Sequence, residues 1–207
     1  MNLPELKVTV FSDYICPFCY VGHHRLMRLR DEYDLKINWC FIEIHPETSA
    51  KGEPVTSLAY PSDQWNQLMQ NLEAVAREES IAMAEHTFTT NSKDALLLSE
   101  AAKTQGRETF YNLHEKLFSA FFVENKNIGD RCILRELAKD SGIDDNIIES
   151  AWQDKKYQQR ILNNYYEARH HEIQAVPTFI FGKRKLTGVV TEHVMRSAAS
   201  DMVSSES

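Results

Sequence analysis

The sequence predicts an α/β fold: a βαβ half and a ββα half separated by a long all-helical insertion. Three observations predict it. Near the start, a short apolar run passes into a segment with helical spacing and then into a second strand-like run. Residues 62–171 read as helix after helix between capping residues. The last part returns to β character and closes with a helix.

Residues 7–11 form the first strand, a short run of β-branched and aromatic side chains. Ser12 and Asp13 are turn or cap residues. Pro17 suits the first helical turn, where its missing N–H costs nothing. Phe18, Val21, Leu26, Leu29 and Tyr33 recur near helical spacing, so a helix is expected to run to about residue 32. Residues 36–43 alternate Ile37, Trp39 and Phe41 against Asn38, Cys40 and Ile42, a strand covered on both faces. Strand, helix, strand is a βαβ unit with a right-handed crossover.

Residues 45–61 hold Pro46, Gly52, Pro54 and Pro61 and read as a connecting loop. Ser62 or Asp63 is the expected cap of a helix through Leu68, Leu72, Val75 and Ala76. Asn91 or Ser92 caps a second, through Ala95, Leu98 and Ala102, closed by Gly106. A third carries Phe110, Leu113, Leu117 and Phe121, with Phe121-Phe122 read as core of the helical layer and, as the alternative, as partly lining an apolar groove over Cys16. Asp130 caps a fourth, closed by Gly142. Asp144 or Asp145 opens a fifth. A sixth spans residues 155–170 with Ile161, Leu162 and Tyr165 inward. These starts and stops follow the capping rules. Residues 178–181, a Gly182-Lys183 turn and residues 184–187 make a hairpin. Thr191 opens the final helix, and the tail is expected to fray from Ser204.

Without the insertion, βαβ and ββα make a thioredoxin-type fold. The insertion, about 110 residues, is too long for a loop and must pack as its own layer. The expected domains are a discontinuous thioredoxin-like one, residues 1–61 and 172–207, and a helical one, residues 62–171.

The chemistry centres on Cys16-Pro17-Phe18-Cys19. A helix N-terminus carries about half a positive charge and unpaired N–H groups. A cysteine at such a place is stabilised as thiolate, the species that attacks disulfides. Cys16 is therefore the expected nucleophile. Cys19, one turn further in, is the resolving partner. The rival is a half zinc site with His23 or His24, but structural zinc takes four ligands and no second pair stands at ligand spacing. No metal ion is therefore expected at the pair.

Val176-Pro177-Thr178 is the second landmark. A proline in an apolar β pattern is unfavourable in a central strand. The conflict resolves if the Val176-Pro177 bond is cis, in a tight turn at the strand's start. In thioredoxin-type folds such a proline faces the cysteine pair. It leaves the preceding backbone free to pair with an extended peptide or glutathione, as an added strand would. Pro17, Phe18, Val176 and Pro177 are thus the expected substrate contacts.

Net charge is −7, with 26% charged residues. That balance argues against nucleic acid, whose phosphates need basic clusters. No apolar run approaches the roughly 18 residues of a membrane helix. The first residues show no signal-peptide core, so a cytoplasmic protein is expected. In that reducing setting a CxxC pair is catalytic or metal-binding rather than a structural staple.

Other candidates have plainer readings. Cys40, mid-strand, reads as a small buried hydrophobe. Cys132 reads as a packing residue, with an auxiliary redox thiol as the alternative. Glu43 is either a strand-end carboxylate or a proton acceptor near Cys19. His45, His114, His170 and His171 read as surface or loop residues.

The chain is similar to the DsbA-like thioredoxin superfamily, specifically its FrnE-type cytosolic dithiol–disulfide oxidoreductases, relatives of the glutathione-dependent 2-hydroxychromene-2-carboxylate isomerases. The resemblance covers nearly the whole chain. It lies in Phe11-Ser12-Asp13 before Cys16-Pro17-Phe18-Cys19-Tyr20-Val21-Gly22, in Trp39 with Glu43-Ile44-His45-Pro46, and in Asn91-Ser92-Lys93-Asp94-Ala95. Leu117-Phe118-Ser119-Ala120-Phe121-Phe122, Ile128-Gly129-Asp130 and Ile173-Gln174-Ala175-Val176-Pro177 complete it. Three places depart from the family's pattern. Phe18 stands where Trp is frequent, and Ala175 where Gly is. Thr187-Gly188-Val189-Val190 replaces Ser-Gly-Ala-Gln, so a polar side chain near the groove is missing.

The resemblance implies a thiol–disulfide oxidoreductase that reduces, oxidises or isomerises disulfides of proteins or small molecules. It implies no bound cofactor, glutathione or another thiol as co-substrate, a monomer or homodimer, and Asn91 near the ligand groove, where a plain helix cap is the equal reading. Phe18 lacks the imidazole of periplasmic DsbA, so a less oxidising couple is expected. Two other functions compete. One is a glutathione-dependent isomerase or transferase, against which the intact cysteine pair counts. The other is a non-catalytic client-binding module.

Overall fold

The structure is a computed structural model that describes residues 3–85 and 87–206. In chain order its elements are β1 (Glu5–Ser12), α1 (Pro17–Met27), β2 (Asp34–Phe41), β3 (Glu53–Pro54), α2 (Ser62–Glu78), β4 (Phe88–Thr89), α3 (Lys93–Ala102) and α4 (Arg107–Phe122). They continue with α5 (Arg131–Lys139), α6 (Asp145–Gln153), α7 (Lys155–His170), β5 (Thr178–Phe181), β6 (Arg184–Thr187) and α8 (Glu192–Glu206). The chain divides into two compact units, Met1–Ile42 with Asn164–Ser207, and Glu43–Asn163. The order of elements in the sequence places the seams at 61/62 and 171/172.

The first unit holds a four-stranded sheet in the order β2-β1-β5-β6. β1 runs parallel to β2, with Glu5 opposite Asp34 and Ser12 opposite Phe41. β5 runs antiparallel to β1, with Phe11 opposite Thr178, and β6 is antiparallel to β5. Only a crossover can join parallel neighbours, and α1 is that crossover. Period-2 alternation buries Leu6, Val8 and Val10 on one face of β1. On the other face Phe11 joins Cys40 and Ala168, with Ile42, Ile173, Val176 and Ile180 packed around them. The expected helix to residue 32 tightens to a 3-10 turn over Arg28–Asp31. The final helix, α8, continues past Ser204 to Glu206, and Ser207 of the expected frayed tail lies outside the described residues.

The second unit is mostly helical. Its two-residue ladder pairs β3, inside the stretch that reads as loop, with β4, inside the stretch that reads as helical, because two residues carry no period. α3 is buried along Ala95–Ala102, and α4 buries Phe118, Phe121 and Phe122. Asp130 caps α5, its carboxylate accepting from the Cys132 N–H at 2.8 Å. Before α2 the chain is turned by Pro61 rather than by a Ser62 or Asp63 side chain, and Ser62 is already helical. Pro61 needs no N–H there, and its carbonyl takes the Trp65 N–H at 2.9 Å.

Two positions differ in burial from the sequence reading. His114 is fully buried. On α4 it falls between Phe110 and Phe118 at i±4, with ring centroids 5.3 and 5.1 Å away, so it shares their apolar stripe. Leu162 points outward and is 43% exposed. The buried residues of α7 are Tyr157 and Ala168. Ile161 and Tyr165 lie along that stripe, half-buried, whereas Leu162 stands about 100° round from Ile161.

Candidate functional site

Register explains how two distant segments meet. β1 ends at Ser12, and Thr178, the first residue of β5, lies opposite Phe11. The chain leaving β1 toward Cys16 and the chain entering β5 through Val176 and Pro177 therefore share one end of the sheet. A buried turn carries the first of them: the Ile15 N–H donates to the Asp13 carboxylate at 3.4 Å, and the Cys16 N–H to the Asp13 carbonyl at 3.3 Å.

Cys16 is the N-cap of α1, with φ −89° and ψ 114°, and Pro17 follows as the first helical residue. The Cys16 carbonyl accepts from the N–H groups of Cys19 and Tyr20 at 3.0 and 3.3 Å. Both thiols are free of disulfide bonds, Cys16 6% exposed and Cys19 1%. Pro17 and Phe18 are partly exposed beside them. Burial pushes the Cys19 thiol well above the ordinary range, and its hydrogen bond to Cys16 and its electrostatic interaction with that neighbouring thiol add to this. Bonds from the Asp13 backbone and Ser12 pull the other way without reversing it.

The Val176-Pro177 peptide bond is cis. The Cys16 thiol donates to the Val176 carbonyl, Sγ to O 3.7 Å. The proline loop is tied at two further points. The Thr178 hydroxyl donates to the Ala175 carbonyl at 2.7 Å, and the Gly188 N–H to the Pro177 carbonyl at 2.8 Å. Cys16, Cys19, Val176 and Pro177 thus come together.

The remaining candidates have other surroundings. Asn91, in the second unit, receives the Lys93 N–H at 3.0 Å and donates to the Pro46 carbonyl at 3.1 Å, the bonds of a cap that also ties down a loop. Burial raises the Glu43 carboxyl, with a bond from Asn91 and the Lys93 charge acting against it. Cys40 is buried in its strand, as its position suggested. Cys132 is exposed rather than packed, because the first turn of α5 turns it outward. Among the described residues, no group of three or more His, Cys, Asp or Glu side chains is arranged to hold a metal ion. No helix there is long and apolar enough to cross a membrane.

Two residues of α1 have surroundings that the sequence did not announce. His23 is buried with its ring 5.9 Å from Trp39, and burial, with the charges of His24 and Arg30, lowers its pKa to about 3. Arg25 is buried and donates to the Val190 carbonyl at 2.6 Å. Its signal was position: four residues after Val21, it falls on the buried face.

Comparison with known proteins agrees with this arrangement. The chain is 33% identical over 204 residues to the uncharacterized protein YwbO of Bacillus subtilis, covering 95% of this chain and 96% of that one. Its fold is similar to that of a probable DsbA oxidoreductase, SCO1869, of Streptomyces coelicolor. The TM-score is 0.83 at 22% identity, over 96% of this chain and 90% of that one. It is also similar to the cytosolic disulfide reductase DsbM of Pseudomonas aeruginosa, solved with GSH. There the TM-score is 0.68 at 14% identity, over 96% of each chain. A family model described as the DSBA-like thioredoxin domain matches residues 7–200. The chain thus belongs to the DsbA-like thioredoxin family, whose members generally act as disulfide oxidoreductases or isomerases.

Proposed function

We propose that this protein exchanges thiols and disulfides through Cys16 and Cys19. The observation that carries the proposal is the placement of the Cys16 sulfur at the start of α1, 3.7 Å from the Val176 carbonyl. In the reducing direction the Cys16 thiolate attacks a substrate disulfide. One substrate sulfur becomes bonded to Cys16, and the other leaves as thiolate. Cys19 gives up its proton and attacks the Cys16 sulfur, which releases the second substrate thiolate. The substrate has gained two electrons, and the protein holds a Cys16–Cys19 disulfide. Two molecules of glutathione, or of another thiol, restore the dithiol and leave as their own disulfide. Every step runs backwards for oxidation.

Burial holds Cys19 protonated until a mixed disulfide forms beside it. Val176 and Pro177 hold the substrate backbone, with Pro17 and Phe18 beside it. Substrates are disulfide-bearing proteins or small thiols, in the cytoplasm. The DsbM structure with GSH supports a thiol of that class as co-substrate.

The test is reduction of a disulfide-bonded peptide with glutathione as reductant. Turnover is expected with the wild type and loss of it with Cys16→Ser. Full activity of Cys19→Ser on a glutathione-dependent small-molecule isomerisation, without peptide reduction, would favour the isomerase instead. Client binding that persists without either cysteine, and no turnover, would favour a binding module.

A further inference from the structure

The proline loop is held against the cysteine-bearing helix by residues outside the cysteine pair. Gly22 lies on α1, one and a half turns past Cys16. A Cβ there would come within 2.8 Å of Phe179 Cζ and 3.3 Å of Pro177 Cγ. The first is shorter than side chains tolerate and the second tighter than usual, so a side chain at this position would push on the Phe179 ring and on the Pro177 ring beside it. Further along α1, the buried Arg25 guanidinium grips the Val190 carbonyl at 2.6 Å. Val190 belongs to the turn after β6, and its N–H bonds back to the Gly188 carbonyl at 3.1 Å. Gly188 in turn donates to the Pro177 carbonyl at 2.8 Å. A continuous path therefore leaves α1 at Arg25, passes Val190, Gly188, Pro177 and Val176, and returns to α1 at the Cys16 sulfur.

We infer that Arg25 and Gly22 are positioning residues that set the approach of the Val176-Pro177 loop to Cys16. Arg25 fixes the loop from behind, and Gly22 sets how near it comes. The inference rests on the thiol–disulfide reading above. Arginine suits the task because several N–H groups diverge from one rigid plane, and a buried guanidinium left without acceptors is costly. Releasing the clamp lets Val176 drift from the sulfur it covers. Cys16 then becomes more accessible, and an extended substrate loses its backbone partner.

The test compares Arg25→Met, Gly22→Ala and Arg25→Lys with the wild type. Leu6→Ala, at the far end of β1, controls for lost stability. Two quantities are read: the rate of iodoacetamide labelling at Cys16 at fixed pH, located by peptide mapping, and KM and kcat for a disulfide-bonded peptide with glutathione. Arg25→Met and Gly22→Ala are expected to speed labelling several-fold and to raise KM more than they lower kcat. Arg25→Lys, which keeps a donor, stays near the wild type, and Leu6→Ala leaves labelling unchanged at an equal loss of Tm. Wild-type labelling in folded Arg25→Met and Gly22→Ala overturns the inference, as does an equal effect of Leu6→Ala. Gly22→Ala decides alone if Arg25→Met does not fold. If the wild type does not turn over the peptide, the thiol–disulfide reading fails, and the labelling rates still decide the positioning role.

Discussion

At the scale of single residues, the two cysteines are unequal although they are neighbours on one helical turn. Cys16 caps the helix under the Val176 carbonyl, while Cys19 lies beneath it with its thiol pushed up chiefly by burial. A small alkylating agent at neutral pH is therefore expected to label Cys16 before Cys19. In Cys16→Ser, Cys19 should label slowly and accelerate only at alkaline pH, because burial remains after the partner is gone. Equal labelling of both sites near neutrality would contradict this. His23 gives a second prediction. Its pKa is about 3 in the fold and about 6.5 in an unfolded chain. Between those values the unfolded chain binds more protons, so stability falls as pH drops through that window and is unaffected above it. His23→Leu should flatten that part of the pH dependence of the urea midpoint; an unchanged acid slope would contradict it.

At the scale of elements, capping and close packing decide most of the helical unit. Asp130 supplies a side-chain cap to α5, and its replacement by alanine is expected to cost about 1 kcal/mol. Gly129 beside it has a different task. A Cβ there would come within 2.5 Å of the Ala50 carbonyl, an atom of the backbone that cannot swing aside. Gly129→Ala should therefore destabilise by about 1–3 kcal/mol, the usual cost of overpacking. Urea unfolding of both variants checks the two values, and a neutral Gly129→Ala would show that the 45–61 segment yields freely. Neither substitution touches the cysteine pair, so both proteins should keep the wild-type labelling rate at Cys16.

At the scale of the whole molecule, legibility followed the strength of local signals. Pro17 after Cys16, Asp130 before α5 and the Gly182-Lys183 turn each announced an element, because caps and turns act within a few residues. The site was legible for the same reason: the cysteine spacing and the Val176-Pro177 step are local patterns, and parallel pairing of β1 and β2 then leaves β5 only one place beside β1. What needed the structure was tertiary. His114 lies in an apolar stripe that its own chemistry does not advertise. Leu162 looks inward by type and faces outward by angle. Arg25 gains its partner from a turn more than a hundred residues away, as its contact with Val190 shows. The β3–β4 ladder is too short to leave a period in the sequence.

The most direct test of dithiol exchange is intact-mass analysis after incubation with oxidised glutathione. Wild type should form an internal Cys16–Cys19 disulfide and accumulate no stable adduct. Cys19→Ser should accumulate a glutathione adduct mapped to Cys16, and Cys16→Ser should show neither product at a comparable rate. Equal modification of the two variants, or none in any of the three proteins, would contradict it.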